Sequence, residues 1–177
     1  MAPPLPDETP EAELAVSELA WMLKNKSPRF PGFKYGYLYA SCCTSRRIVP
    51  IPVDYGFSGH VRYSSANDLF TECWVPSSLP PNVCDMSIGR LYVDTFPLGS
   101  SFKLEFAYTV FYVPQQSLPH QTNLNRCRPV VHAGVPWYGN ILVVRHGKRD
   151  PLIGIDRRDG HLVDVIIASL ISTRAIG

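Results

Sequence analysis

Apolar residues recur along the chain with two different periods, which predicts helices near the two ends and strands between them. Over 163–171 the period is helical. Val163, Ile166, Ile167, Leu170 and Ile171 fall at i, i+3, i+4, i+7 and i+8, while Asp164, Ser169, Ser172 and Thr173 gather on the opposite half. Asp159 is the expected N-cap, and Arg174 stands where a helix C-terminus favours a cation. Just before this helix, the run Ile141 to Val144 lies between Gly139-Asn140 and His146-Gly147, the pattern of a strand buried on both faces. A second helix is expected over 9–26. Thr9 can cap it, Pro10 suits its first position, Glu11 and Glu13 complement its positive end, and Lys24 and Lys26 precede the stop at Pro28. Its stripe is Ala12, Val16, Leu19, Ala20 and Leu23. Trp21 and Met22 widen the stripe, so this helix packs on a sheet or offers Trp21 and Met22 to a protein partner.

Between the helices the period is two. Tyr35, Tyr37 and Tyr39 alternate with smaller residues, and Phe102, Leu104, Phe106, Tyr108, Val110 and Tyr112 share one face of the strongest strand signal, solvated at its start and covered at its end. Shorter strands are expected near 61–63, 91–96 and 152–155, with a hairpin turning through 97–101. Ile48 to Val53 carries Pro50 and Pro52 two apart, which predicts an edge or polyproline-like segment rather than a central strand. Ser65-Ala-Asn-Asp68 resembles a capping box opening a brief helix. Residues 76–89 and 114–129 are dense in breakers or polar residues and read as long loops. The expected fold is α+β: after a mobile Pro-rich leader over 1–8, one domain over 9–177, a mainly antiparallel sheet covered by N- and C-terminal helices.

Composition agrees with one ordinary globular domain of 177 residues. Apolar residues make up 45% and charged ones 18%, which excludes disorder by composition. Seventeen prolines are about twice the usual ~5% and argue against long helices in the middle. A net charge of +2 is too small to indicate a polyanion partner by itself. No stretch has the length and apolarity of a membrane span, and no apolar secretory segment is visible, so a cytoplasmic or nuclear protein without membrane attachment is expected. Five cysteines, two of them adjacent, show neither CxxC nor zinc spacing, so reduced packed thiols, no metal and no cofactor are expected.

The sharpest local motif is Val144-Arg145-His146-Gly147-Lys148-Arg149-Asp150-Pro151. It resembles the Arg-His-Gly-x-Arg-x-Pro motif of the histidine acid phosphatases, and that resemblance implies His146 as phosphoryl acceptor with Arg145 and Arg149 as phosphate ligands. The alternating helix and strand pattern of a doubly wound sheet is missing, however, and a strand leading into a basic turn explains the same residues. Arg145, Lys148, Arg149, Arg157 and Arg158 also form a possible phosphate-backbone footprint, offset by the interleaved Asp150, Asp156 and Asp159. Arg126 and Arg128 flank Cys127 and could lower its pKa, although an inert thiol is the stronger reading. The stretch Trp137-Tyr-Gly-Asn-Ile-Leu-Val-Val-Arg-His-Gly, with Leu162-Val-Asp-Val-Ile-Ile-Ala after it, resembles the end of small uncharacterised proteins of basidiomycete fungi, which implies no activity. With no complete catalytic set, the expectation is a non-catalytic intracellular domain that binds another protein, in a regulatory role. Phosphoryl transfer by the Arg145-His146-Gly147 turn and weak nucleic-acid binding by 145–158 are the alternatives.

Overall fold

A computed structural model describes residues 32–55, 61–63, 88–118, 122–147 and 152–177. The expected leader, the helix over 9–26 with Trp21 and Met22, the brief helix after Ser65, and Lys148 and Arg149 lie outside these residues. Among the described residues seven strands form one antiparallel sheet: β1 (Gly32–Tyr39), β2 (Arg47–Tyr55), β3 (Val61–Tyr63), β4 (Gly89–Thr95), β5 (Lys103–Tyr112), β6 (Ile141–His146) and β7 (Leu152–Ile153). Their order is β3-β2-β1-β6-β5-β4, and β7 pairs with the end of β6 where β1 diverges from it. Among the described residues two α-helices accompany the sheet, a single turn α1 (Arg128–Val131) and the long α2 (Gly160–Ser172). The class is α+β, as the mixture of two periods predicts.

Register fixes which side chains share a face. Tyr37 lies opposite Val143, Tyr39 opposite Ile141, Val110 opposite Val143 and Leu91 opposite Val110, so these residues point the same way. Against them α2 lays Val163, Ile166, Ile167, Leu170 and Ile171, all buried. Cys127, Val130 and Trp137 from the segment around α1 complete this core. Each fully buried side chain of this size contributes about 1.5–3 kcal/mol relative to exposure, so α2 is held by its apolar stripe. Leu38, Val49, Ile51, Phe111, Leu142 and Val144 on the other sheet face are buried as well. That explains why β6, flanked by β1 and β5, is a run of apolar residues without alternation.

Most expected elements that fall on the described residues appear, and several details add to the expectation. The segment with Pro50 and Pro52 is part of a strand, β2 from Arg47 to Tyr55, and over these prolines it pairs with β1 alone, the edge-like setting expected, before β3 joins it from Val53. Backbone N–H groups alternate sides along a strand, so Pro50 and Pro52 remove donors from one side only. β2 stays paired with β1 throughout this stretch, and β3 joins its other side only from Val53 onward, which leaves room there for both prolines. Phe102, expected in the core row, is 73% exposed, because β5 begins after it. Asp159 is the N-cap residue of α2, as expected, but its side chain makes no bond to the helix's own amides. A 3-10 turn, Arg157–Asp159, precedes α2, and Asp156 caps that turn: its side chain accepts from Arg158 N at 3.0 Å while Asp159 accepts from Asp156 N at 2.7 Å. At the far end Arg174 takes a left-handed conformation at φ 56°, and the Ala175 and Ile176 amides return to Leu170 O, closing the helix as glycine usually does.

Candidate functional site

The basic segment over 145–158 is drawn into the fold at its first residue. Arg145 Nη1 donates to Asp159 Oδ2 at 2.7 Å, Nη2 donates to Gly154 O, and the guanidinium lies 4.7 Å from the centre of the Phe106 ring. Asp159 also accepts from Tyr108 Oη at 3.2 Å. Burial, with Asp159 beside it, pushes the Tyr108 hydroxyl above its ordinary pKa. His146 is 4% exposed, on the sheet face away from α2, and its Nε2 lies 2.7 Å from Thr109 Oγ1. Arg145 and His146 therefore point to opposite faces of β6. Arg157 and Arg158 remain on the surface, where Arg158 reaches Asp156 at 3.6 Å. The hydrogen bond from the Arg158 amide holds the Asp156 carboxyl below its ordinary range. A shallow cleft of about 380 Å³ beside them is lined by Tyr35, Ile48, Arg145, Gly154, Asp156 and Arg157.

A larger cleft forms between α1 and α2, and buried polar groups set its walls. Asn125 Nδ2 donates to Tyr39 O and Gly139 O, both at 2.8 Å, and its Oδ1 accepts from Cys127 N at 3.0 Å. One side chain thus fastens the segment before α1 to the end of β1, satisfying two carbonyls and an amide. Arg128 N donates to Thr44 O at 2.8 Å, tying α1 to the β1–β2 loop. On the other wall, Tyr39 Oη donates to Asp164 Oδ1 at 2.8 Å, and Arg46 forms an ion pair with Asp164 while its guanidinium lies 4.9 Å from the Tyr37 ring centre. Gly160 lies beneath that guanidinium, where a Cβ would push the Arg46 side chain aside. Burial, and then the adjacent Asp164, hold the Tyr39 hydroxyl well above its ordinary pKa, so it remains a donor.

The cleft measures about 600 Å³, within the size range of ligand sites. Its apolar lining is Pro129, Ala133, Val165 and Ala168, and Arg128, His132, His161 and Asp164 stand among the polar residues that line it. Val131 on α1 is 56% exposed and Val165 on α2 is 41% exposed. The arrangement offers shape and hydrogen-bonding groups but no activated nucleophile. Cys127, the thiol nearest in sequence, is fully buried, and burial followed by the Asp164 charge pushes its pKa up to about 12, the opposite of what its flanking arginines suggest. Among the described residues no group of three or more His, Cys, Asp or Glu could hold a metal ion.

The structure thus separates the expected phosphate-site residues and assembles a cleft that the periodicity did not single out. One sequence signal was present: Val165 and Ala168 interrupt the otherwise polar half of α2. Among the described residues no helix is long and apolar enough to cross a membrane. No protein-family model, no curated protein and no solved structure matches the chain.

Proposed function

We propose that this chain is a non-catalytic protein-binding domain of the cytoplasm or nucleus, with a regulatory role, and that the cleft between α1 and α2 receives a short segment of its partner. The observation that carries this reading is the placement of an exposed valine, Val165, in a mainly apolar cleft between two helices, where it stands with Pro129, Ala133 and Ala168 among charged and histidine side chains. The partner segment has an apolar residue flanked by Asp or Glu. Its apolar side chain fills the space over Ala133, Val165 and Ala168, and its carboxylate meets Arg128, His132 or His161, because the cleft's carboxylate, Asp164, is already engaged by Arg46 and Tyr39. The three described cysteines are thiols, which fits a reducing compartment. Phosphoryl transfer would need His146 at a surface, and His146 is buried against Thr109. Of the basic cluster, Arg145 has its guanidinium committed to Asp159 and Gly154, which withdraws it from a nucleic-acid backbone.

The test compares capture from native cell extract, read by mass spectrometry, for the wild-type chain, Val165→Arg, and the double change Arg157→Glu, Arg158→Glu. Val165→Arg should remove the specific partner while leaving the fold intact, since the position is exposed, and the double change should retain it. A partner lost with the double change and kept with Val165→Arg would move the binding surface to the basic segment. Hydrolysis of an aryl phosphate that disappears in His146→Ala would replace the reading with an enzymatic one.

A further inference from the structure

The loop between β1 and β2 carries two adjacent cysteines outside the cleft. Cys43 N donates to Ala40 O at 3.1 Å, closing a turn, and Ser41 N donates to Asn140 Oδ1 at 2.8 Å. Thr44 O accepts from Arg128 N at 2.8 Å on the other side, so the backbone is pinned before and after the pair. Neighbouring residues of an extended chain point in opposite directions. Here the turn brings the two sulfurs together instead: the Sγ atoms are 3.7 Å apart, with Cys42 exposed and Cys43 buried beneath it.

We propose that Cys42 and Cys43 form a two-point binding site for a trivalent thiophilic centre, of the kind an organic arsenical supplies. The exposed Cys42 sulfur bonds first to arsenic, and Cys43, already at contact distance, closes the ring in an intramolecular step that needs little rearrangement. For an arylarsenic oxide the balance is simple. Two S–H bonds break, two As–S bonds form, the two protons leave with the oxygen as one water, and no atom changes oxidation state. The hydrogen bond shared with Cys43, reinforced by burial, holds the Cys42 thiol well above its ordinary pKa, so it stays protonated at neutral pH. That favours a ligand that condenses with neutral thiols over zinc, which requires thiolates, and over oxidants that select thiolates. The site is independent of the protein-binding reading.

Phenylarsine oxide added to the full chain, followed by intact-mass and peptide analysis, tests the site. The expected result is one adduct on the peptide containing Cys42 and Cys43, stable to excess mercaptoethanol and removed by dimercaptopropanol. Two-point attachment should make retention about a hundredfold stronger than in Cys42→Ser, while Cys127→Ser behaves as wild type. Cys42 is exposed, so its serine variant should fold; Cys43→Ala provides a second variant, expected to lose the adduct equally. An adduct located at Cys73 or Cys84, or one that mercaptoethanol strips as readily from wild type as from Cys42→Ser, overturns the proposal.

Discussion

Ile167 tests the packing on which the cleft depends. It is 0% exposed and sits in the face of α2 that meets Tyr37, Tyr39, Val143 and Val110 of the sheet. Ile167→Ala removes about three carbons, worth about 2.4 kcal/mol at ~0.8 kcal/mol per buried carbon group. The unfilled space adds to this, giving a total within the range of about 2–5 kcal/mol. A loss near 3.5 kcal/mol should lower the melting temperature by roughly 7–14 °C for a chain of this size. It also removes a large part of a typical total of about 5–15 kcal/mol. Ile167→Asp goes further, because an unpaired carboxylate replaces the methyl groups, and should abolish soluble expression. The assay is urea unfolding followed by circular dichroism, with Val165→Ala as the control on the exposed side of the same helix. The control should stay within about 0.5 kcal/mol of wild type. If Ile167→Ala costs less than the control, α2 is not packed through this stripe and the walls of the cleft are misassigned.

Three further outcomes follow from the polar framework. Asn125→Ala leaves two carbonyls and an amide without their buried partner and should cost about 2–4 kcal/mol, read by urea unfolding, with faster hydrogen exchange at the Cys127 amide. Arg46→Met removes the ion pair to Asp164 at a half-buried site and should cost about 1–3 kcal/mol; it should also make stability less dependent on salt, and an unchanged salt response would count against the pair. Asp156 has a folded-state pKa below its ordinary one, so its stabilising effect is complete above the ordinary carboxylate range and fades as pH falls through the lowered folded value. Asp156→Asn, which keeps an acceptor oxygen but not the charge, should therefore differ from wild type in melting temperature at neutral pH and converge with it in acid.

The fold was legible wherever apolar periodicity and burial coincide. The stripe from Val163 to Ile171 and the run from Ile141 to Val144 each state how many of their faces are covered, and the structure covers those faces. Local chemistry was less legible, because it depends on which edge or which turn a residue meets. Pro50 and Pro52 read as an edge or polyproline-like segment, and the sheet holds them where β2 pairs with β1 alone, on a side that β3 reaches only later. Asp159 read as the helix cap and does hold the N-cap position of α2, but its carboxylate turns to the Asp156 amide, Arg145 and Tyr108 rather than to the helix amides. Arg128 and Pro129 read as the end of a loop, and Val130-Val131 as no element, since a one-turn helix is too short to show a period. The cleft needs that turn, α2 and the Asn125 anchor together, and nothing in sequence spacing joins residues 44, 125, 128 and 164. The eight residues from Val144 to Pro151 had the opposite character: a sharp motif whose His146 and Arg145 the strand sends to opposite faces.

The protein-binding reading is tested most directly by selecting peptides from a random display library on the full wild-type chain and measuring the enriched peptides by fluorescence anisotropy. The peptides should share an apolar residue beside Asp or Glu. Their binding should be lost in Val165→Arg, weakened in His161→Ala, and unchanged in Arg157→Glu, Arg158→Glu. Peptides that carry no acidic residue, or that bind Val165→Arg as tightly as wild type, would contradict the assignment of the cleft between α1 and α2 as the binding site.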